Sequence, residues 1–175
     1  MQPQPSPYQQ PPPGQQPPYT QPQQTPPPNQ QPQTQPYPTG KIEKGQVIAN
    51  IQGRNVSTAV KEINSGSVKL EMNNVAEVSG PYTARHIETT ILEQKADGTS
   101  EWESKAVENT PQGDVVVIEG KGKGQATGGG NASWTGELHY MTKSPGLKWL
   151  DDTKARVEGS ANFQTGEYTG KIYKK

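Results

Sequence analysis

The chain has 175 residues, no cysteine, and 17 basic side chains against 17 acidic ones, so its formal net charge is zero. The absence of cysteine excludes disulfide scaffolds, thiol catalysis and Cys-ligated metal sites, and the balanced charge gives no general attraction to nucleic acid. The sequence contains no run of about 18 apolar residues, and its first residues do not show the basic and then apolar pattern of a secretory signal. We therefore expect a cytoplasmic protein without a membrane or nucleic-acid partner.

The first part of the chain differs sharply in composition from the rest. Residues 1–39 hold 15 of the 18 prolines, 13 glutamines and no charged side chain. Proline fixes φ and lacks an N–H, and so few apolar residues cannot offset the entropy lost on ordering. We predict a disordered Pro/Gln-rich tail over 1–40, which is either a flexible spacer or a ligand for a polyproline-binding partner. Residues 41–175 are predicted to form one domain.

The composition of the 41–175 segment favours strands. Val and Ile together number 19 there, whereas Leu numbers only five, and β-branched side chains pack well on a pleated surface. Strands are predicted near 46–52, 67–79, 83–95, 99–108, 114–120, 131–142, 154–163 and 167–174. The segment 54–64 fits either a strand or one short helix.

Alternation and turn chemistry join these segments into hairpins. Apolar residues and glycine alternate with polar residues from Ala132 to Tyr140, which is typical of a strand with one buried face. Asp97-Gly98 and Thr165-Gly166 predict tight turns. About eight strands joined mostly by short turns favour a small antiparallel, meander-like eight-stranded β-barrel, with a β-sandwich as the alternative. Glycines within the strands suit the coiling of a small barrel.

Two His/Glu pairs are the weak polar-site candidates, together with Arg85. His86 precedes Glu88 by two residues, and Glu137 precedes His139 by two, so each pair shares one face of a strand. Facing pairs would suit a metal or acid–base chemistry. Because His139 lies opposite the apolar stripe of its strand, we expect paired or solvated surface residues instead, and no metal or other cofactor.

Aromatic side chains are the candidates for lining a ligand cavity, since an eight-stranded barrel can hold one small ligand. They are Tyr82, Trp102, Trp134, Tyr140 and Trp149. Most aromatic residues in strands belong to the core, so packing is the alternative interpretation. Trp149 falls in the long connection after Ser144-Pro145-Gly146, where it would cap a barrel end or cover a pocket.

Four segments of the second half share a pattern of glycine, aromatic and turn residues: Gly120-Lys-Gly-Lys-Gly124, Trp134-Thr-Gly-Glu-Leu-His-Tyr140, Thr142-Lys-Ser-Pro-Gly-Leu-Lys-Trp-Leu-Asp-Asp152 and Gly166-Glu-Tyr-Thr-Gly-Lys-Ile-Tyr173. In this pattern the second half resembles a bacterial and archaeal domain family of unknown function that is similar to the eight-stranded barrel of allene oxide cyclase. The resemblance covers residues 80–173, more loosely 45–173, and none of the tail. It implies the barrel fold and assigns no catalytic residue.

Three functions follow from these observations. The first is a non-enzymatic module that binds a small apolar ligand or another protein, because no catalytic constellation occurs in the sequence. The second, implied by the resemblance, is an isomerase or cyclase acting on a lipid-derived substrate. It requires at least one of Glu88, Glu103, Glu119 or Arg85 to point into the cavity. The third is a structural homo-oligomer that displays several Pro/Gln arms.

Overall fold

A computed structural model describes Tyr37 and residues 42–175, which form eight β-strands and one short 3₁₀ helix, Pro145–Leu150. The strands are β1 Val47–Ile63, β2 Ser67–Ser79, β3 Ala84–Lys95, β4 Thr99–Asn109, β5 Val115–Gly128, β6 Asn131–Met141, β7 Thr153–Asn162 and β8 Glu167–Lys174. The predicted tail, apart from Tyr37, lies outside the described residues. No helix within the described part of the chain is long and apolar enough to cross a membrane.

The strands form one closed antiparallel barrel, as predicted. Each strand pairs with the next along the chain, and β8 pairs with β1 to close the sheet. Closure removes the free edges that an open sheet would expose. The sandwich alternative is therefore wrong.

The undecided segment 54–64 is strand. It is the distal half of β1, and it contains β-bulges where Val56 and Lys61 have no residue opposite them on β2. Each bulge shifts the alternation by one residue, which is why the period-2 pattern is hard to recognise in the sequence. The last β1–β8 pair joins Arg54 and Glu167, so the distal β1–β2 hairpin extends past the closed part of the barrel.

The tight turns follow the predicted chemistry. Gly98 has a φ of 83° and Gly166 a φ of 76°, values that glycine adopts without steric cost. The Asp97 side chain accepts hydrogen bonds from the Thr99 backbone N–H and hydroxyl at 2.9 and 2.6 Å. Local hydrogen bonding therefore fixes the β3–β4 turn before tertiary contacts are considered.

The two ends of the barrel are built differently. The hairpin end carries the β1–β2, β3–β4, β5–β6 and β7–β8 turns. The helix end carries the other connections, and there the 3₁₀ helix covers the barrel because Leu147 and Leu150 are both fully buried. Tyr140 and Val116 are also fully buried. The densest apolar packing is thus at the helix end.

Tyr37 reaches the same end from the preceding segment. Its hydroxyl donates a hydrogen bond to Asp114 Oδ2 at 2.6 Å, beside the β4–β5 connection. A Cβ at Gly146 would lie 2.6 Å from Cε2 of the Tyr37 ring, so the absence of a side chain at Gly146 lets the ring pack on the 3₁₀ helix. The tyrosine therefore fastens the start of the domain to the helix end.

Candidate functional site

A cavity of about 190 Å³ lies inside the barrel towards the hairpin end. Its walls are mostly apolar side chains from strands around the barrel, among them Ile51, Leu92, Trp102, Trp134, Leu138 and Val157. These residues alternate with outward-facing polar ones, which is the arrangement that fills or lines a small barrel. Apolar cavities of about 150 Å³ can hold a molecule of the size of benzene, so this cavity has room for a small ligand.

Two tryptophans form the central part of the wall. The rings of Trp102 and Trp134 meet edge to face, with centroids 6.0 Å apart and planes at 89°. A Cβ at Gly122 would lie 2.5 Å from Cζ2 of Trp102, and one at Gly170 would lie 2.8 Å from Cη2 of Trp134. These in-strand glycines therefore make room for the indole rings against the inner wall, a role beyond the coiling expected from the sequence.

One side of the cavity is polar. Asn74 Nδ2 donates to Glu88 Oε2 at 3.1 Å, and Asn55 Nδ2 donates to Asn74 Oδ1 at 3.0 Å. Thr90 lies beside them on the same wall. The chain of amides orients the Glu88 carboxyl group, whose side chain keeps 17% exposure.

Tyr168 adds a phenol to this polar side. Its hydroxyl is buried and has no hydrogen-bond partner among the described residues. Burial raises the pKa of the Tyr168 hydroxyl, and the nearby Glu88 and Glu108 carboxylates raise it further. The group therefore stays a protonated donor at neutral pH. An unpartnered buried donor is costly, and this one belongs to a residue of the cavity wall.

A buried cluster of acidic, imidazole and phenol side chains lies between the cavity and the helix end. His86 Nε2 lies 4.0 Å from Glu88 Oε2, and His86 Nδ1 lies 3.0 Å from Glu108 Oε1. The Tyr82 hydroxyl donates to the other Glu108 oxygen at 2.6 Å. Glu108 is fully buried, and a carboxylate in that position requires such partners. Burial also raises the pKa of the Tyr82 hydroxyl well above its usual value.

The five aromatic candidates divide between the two ends. Trp102 and Trp134 line the cavity. Tyr82, Tyr140 and Trp149 belong to the packing of the helix end, where the Tyr82 and Trp149 rings meet edge to face at 5.9 Å. Trp149 lies in the 3₁₀ helix, so it contributes to the cover of the barrel end and does not line the cavity.

The polar candidates also divide. His86 and Glu88 face inward, so the expectation that they are surface residues is wrong. Arg85, Glu137 and His139 are on the outer wall, because they alternate with inward-facing neighbours. Glu137 pairs with Lys175, and His139 Nε2 lies 2.8 Å from Asp152 Oδ1.

The two His/Glu pairs are therefore on opposite faces of the barrel wall and cannot form one site. Within the described residues, no group of three or more His, Asp or Glu side chains is arranged to hold a metal ion. The polar side of the cavity consists of amide, hydroxyl and carboxyl groups.

Sequence analysis did not single out Asn74, Glu108 or Tyr168 as site residues. Alternation contained a signal for two of them. Glu108 continues the inward parity of Trp102 on β4, and Tyr168 shares a stripe with Ile172 on β8. The pairing of Asn74 with Glu88 depends on the β2–β3 register, which no local pattern specifies.

The architecture defines the class of protein as a small closed β-barrel, and solved structures share it. A conserved protein of unknown function from Rhodopseudomonas palustris matches with a TM-score of 0.60 at 16% identity over 78% of this chain and 99% of its own. A protein with unknown function from Clostridium acetobutylicum matches with a TM-score of 0.64 at 15% identity over 76% and 99%.

A β-barrel-like protein from Acinetobacter baumannii matches with a TM-score of 0.62 at 14% identity, covering 79% of this chain and 98% of its own. No family model and no curated protein matches the chain. At these identities the likeness shows the fold alone, and function has to be argued from the site. The similarity to allene oxide cyclase inferred from the sequence stays a prediction.

Proposed function

We propose that the barrel is a binding module for a small, largely apolar ligand. The observation that carries this proposal is the cavity of about 190 Å³, which is walled by Trp102, Trp134 and aliphatic side chains and edged on one side by Asn74, Glu88 and Tyr168. A mostly apolar cavity with a few convergent polar groups is the usual form of a small-molecule site.

The packing contrast supports the same function. Leu147 and Leu150 are fully buried at the helix end, whereas the hairpin end leaves a cavity of about 190 Å³ between apolar side chains. Removing apolar contacts from a core costs stability in proportion to the void. A ligand that fills the void would recover those contacts, so its binding is favoured by the same physics.

A matched pair of variants tests the proposal. We expect the neutral dye 1-aminonaphthalene, whose two fused rings suit a cavity of this size, to bind the wild-type protein with enhanced fluorescence. Ala161→Phe, which puts a ring into the cavity, is expected to abolish that binding, whereas Ser160→Phe on the outer face of the same strand leaves it unchanged. Circular dichroism and thermal unfolding establish that both variants are folded. Absence of dye binding to the wild-type protein, or equal binding by both variants, would contradict the proposal.

An isomerase or cyclase acting on a lipid-derived substrate is the second candidate, and the position of Glu88 favours it. This function requires at least one of Glu88, Glu103, Glu119 or Arg85 to point into the cavity, and Glu88 lines it. In such a reaction its carboxylate would remove a proton beside a carbonyl group and return it to a different carbon, while Tyr168 donates a hydrogen bond to the carbonyl oxygen. The test is conversion of β,γ-unsaturated ketones to conjugated enones by the wild-type protein and its loss in Glu88→Gln. Lack of conversion by the wild-type protein would count against this candidate.

A homo-oligomer is the third candidate, favoured by an apolar band on the outer wall. Five paired residues on β2 to β6 form it in register: Val75, Ile87, Val107, Val117 and Met141. Ile87 and Val117 are 45% and 46% exposed, and a second copy covering the band would bury them. Light scattering should then report an oligomer that Ile87→Lys converts to a monomer. A monomeric wild-type protein at high concentration would contradict this assembly.

A further inference from the structure

We propose that the cavity selects an amphiphile whose head group donates hydrogen bonds and carries no negative charge, and that this ligand binds head first with its apolar tail towards the hairpin end. The inference rests on the proposed binding function and specifies its ligand class. An alkylammonium ion fits best, an alcohol next, and a carboxylate worst.

The carboxyl groups inside the barrel disfavour a negatively charged head group. Glu88 lines the cavity, Glu108 is fully buried behind it, and no lysine or arginine among the described residues lines the cavity wall. His86 lies between the two carboxyl groups at 4.0 and 3.0 Å. Two carboxyl groups therefore surround one imidazole in this part of the barrel. Fatty acids and other anions are therefore repelled.

The hydrogen-bonding groups of Glu88 and Tyr168 favour a head group that donates hydrogen bonds. Asn74 Nδ2 donates to Glu88 Oε2, and the other carboxyl oxygen of Glu88 has no hydrogen-bond donor among the described residues. An ammonium or hydroxyl head would supply that donor. The Tyr168 hydroxyl is buried without a partner among the described residues. A ligand hydroxyl can accept its hydrogen bond while donating to Glu88, whereas an ammonium gains more from the carboxylate charge.

The apolar tip of the β1–β2 hairpin determines the orientation of the ligand. Thr58 lines the cavity, and Val60 follows it on the same face, paired with Leu70 of β2. Ile63 continues this face at the tip of the hairpin. Val60 and Ile63 are 59% and 75% exposed, so an apolar surface extends from the cavity past the closed part of the barrel. An apolar tail can lie along it while the head is held at Glu88.

A matched ligand series tests the head-group preference. Hexylamine, 1-hexanol and hexanoate share an unbranched six-carbon chain and differ mainly in the head. At neutral pH, titrated against the full chain by displacement of 1-aminonaphthalene, hexylamine is expected to bind tightest, followed by 1-hexanol. Hexanoate is expected to bind at least about tenfold more weakly than hexylamine.

Two variants assign the preference to the named groups. Glu88→Gln is expected to reduce the hexylamine advantage over 1-hexanol to about twofold or less, while Glu103→Gln, which makes the same charge change at an exposed position on β4, leaves it intact. Tyr168→Phe is expected to weaken 1-hexanol several-fold and hexylamine much less. If Glu88→Gln does not fold, the wild-type order and Tyr168→Phe still decide the question.

The outcomes separate this inference from the binding function. Equal or tighter binding of hexanoate, with the dye still binding and still blocked by Ala161→Phe, overturns the inference and leaves the binding function standing. Failure of all three hexyl ligands to displace a bound dye also overturns the inference and leaves the binding function standing. Failure of the dye itself to bind overturns both. The inference is supported if hexylamine binds tightest, 1-hexanol next and hexanoate weakest. Glu88→Gln should reduce these differences in affinity, whereas Glu103→Gln should not.

Discussion

The helix end and the hairpin end of the barrel use the same sheet for different purposes. At the helix end Tyr140, Leu147 and Leu150 are fully buried, and the 3₁₀ helix seals the interior. At the hairpin end the wall is built from tryptophan against glycine and encloses a cavity. The same closed sheet supports both, because it fixes the backbone whether or not its interior is filled. The difference shows that apolar packing is concentrated at the helix end, which leaves space inside the hairpin end.

The largest expected effect comes from the two carboxyl groups that flank His86. Glu108→Ala should destabilise the protein by about 4 kcal/mol, because it leaves the buried His86 and Tyr82 groups without their partner. Glu88→Ala should cost about 1 kcal/mol, since Glu88 is partly exposed and loses one hydrogen bond from Asn74. Urea unfolding of both variants measures the difference. Equal costs would show that the two ends do not differ in polar burial.

A matched leucine pair compares apolar packing at the two ends. Leu150→Ala should cost about 3 kcal/mol, because it opens a new void in a filled region. Leu92→Ala should cost about 2 kcal/mol, since Leu92 already borders the cavity and makes fewer contacts on that side. Chemical unfolding gives the two values, and dye binding should change only in Leu92→Ala. The reverse order of costs would contradict the packing contrast.

Alkaline pH compares a phenol at each end. Burial raises the pKa of both the Tyr140 and the Tyr168 hydroxyl, whereas phenols in the unfolded chain ionise near pH 10. Their contribution to stability is therefore complete below about pH 10 and is lost as the pH rises above it, by about 1.4 kcal/mol per pH unit for each phenol. Tyr140→Phe and Tyr168→Phe should each make this loss less steep.

Unfolding followed by fluorescence, together with phenolate absorbance of the native protein, measures this effect. Ionisation of the Tyr168 phenol before unfolding would show that water reaches it through the cavity. In that case, of the two phenols compared, only Tyr140 at the helix end would be shielded from water.

The smallest effect is expected at the outer surface of the helix end. Tyr37→Phe removes the hydroxyl that donates to Asp114 at 2.6 Å but keeps the ring that packs beside Gly146. The site is only partly buried, so the cost should be about 0.5–1 kcal/mol. Thermal unfolding should also show a larger loss for Tyr37→Ala. Identical melting of Tyr37→Ala and wild type would show that Tyr37 does not fasten the chain to the barrel.

Much of the fold was predictable because it depends on local patterns. Alternation placed Trp134, Leu138 and Tyr140 on the inner face, and Asp97-Gly98 placed the β3–β4 turn correctly. Prediction was weakest over 54–64, where two bulges interrupt the period, and at His86, whose strand has apolar residues on both faces. Local periodicity cannot identify the inner face in such a strand, because barrel closure and register make that choice.

The candidate site was predictable only in part for the same reason. Trp102 and Trp134 were recognised as aromatic residues on patterned strands, and both line the cavity. The contacts between Asn74 and Glu88 and between His86 and Glu108 join residues 14 and 22 positions apart in sequence. No spacing rule brings such groups together, and their chemistry emerges only after the strands have paired.

The amino-acid sequence by itself determined that most of the 41–175 segment forms antiparallel strands, because side-chain alternation, β-branching and turn residues act over a few neighbouring positions. The tertiary structure decided which end of the barrel is filled and which encloses a cavity. It also decided that two carboxyl groups and a histidine share the interior. Those outcomes depend on the register of eight strands around a closed sheet, where a shift of one residue would exchange the inner and outer faces of a strand.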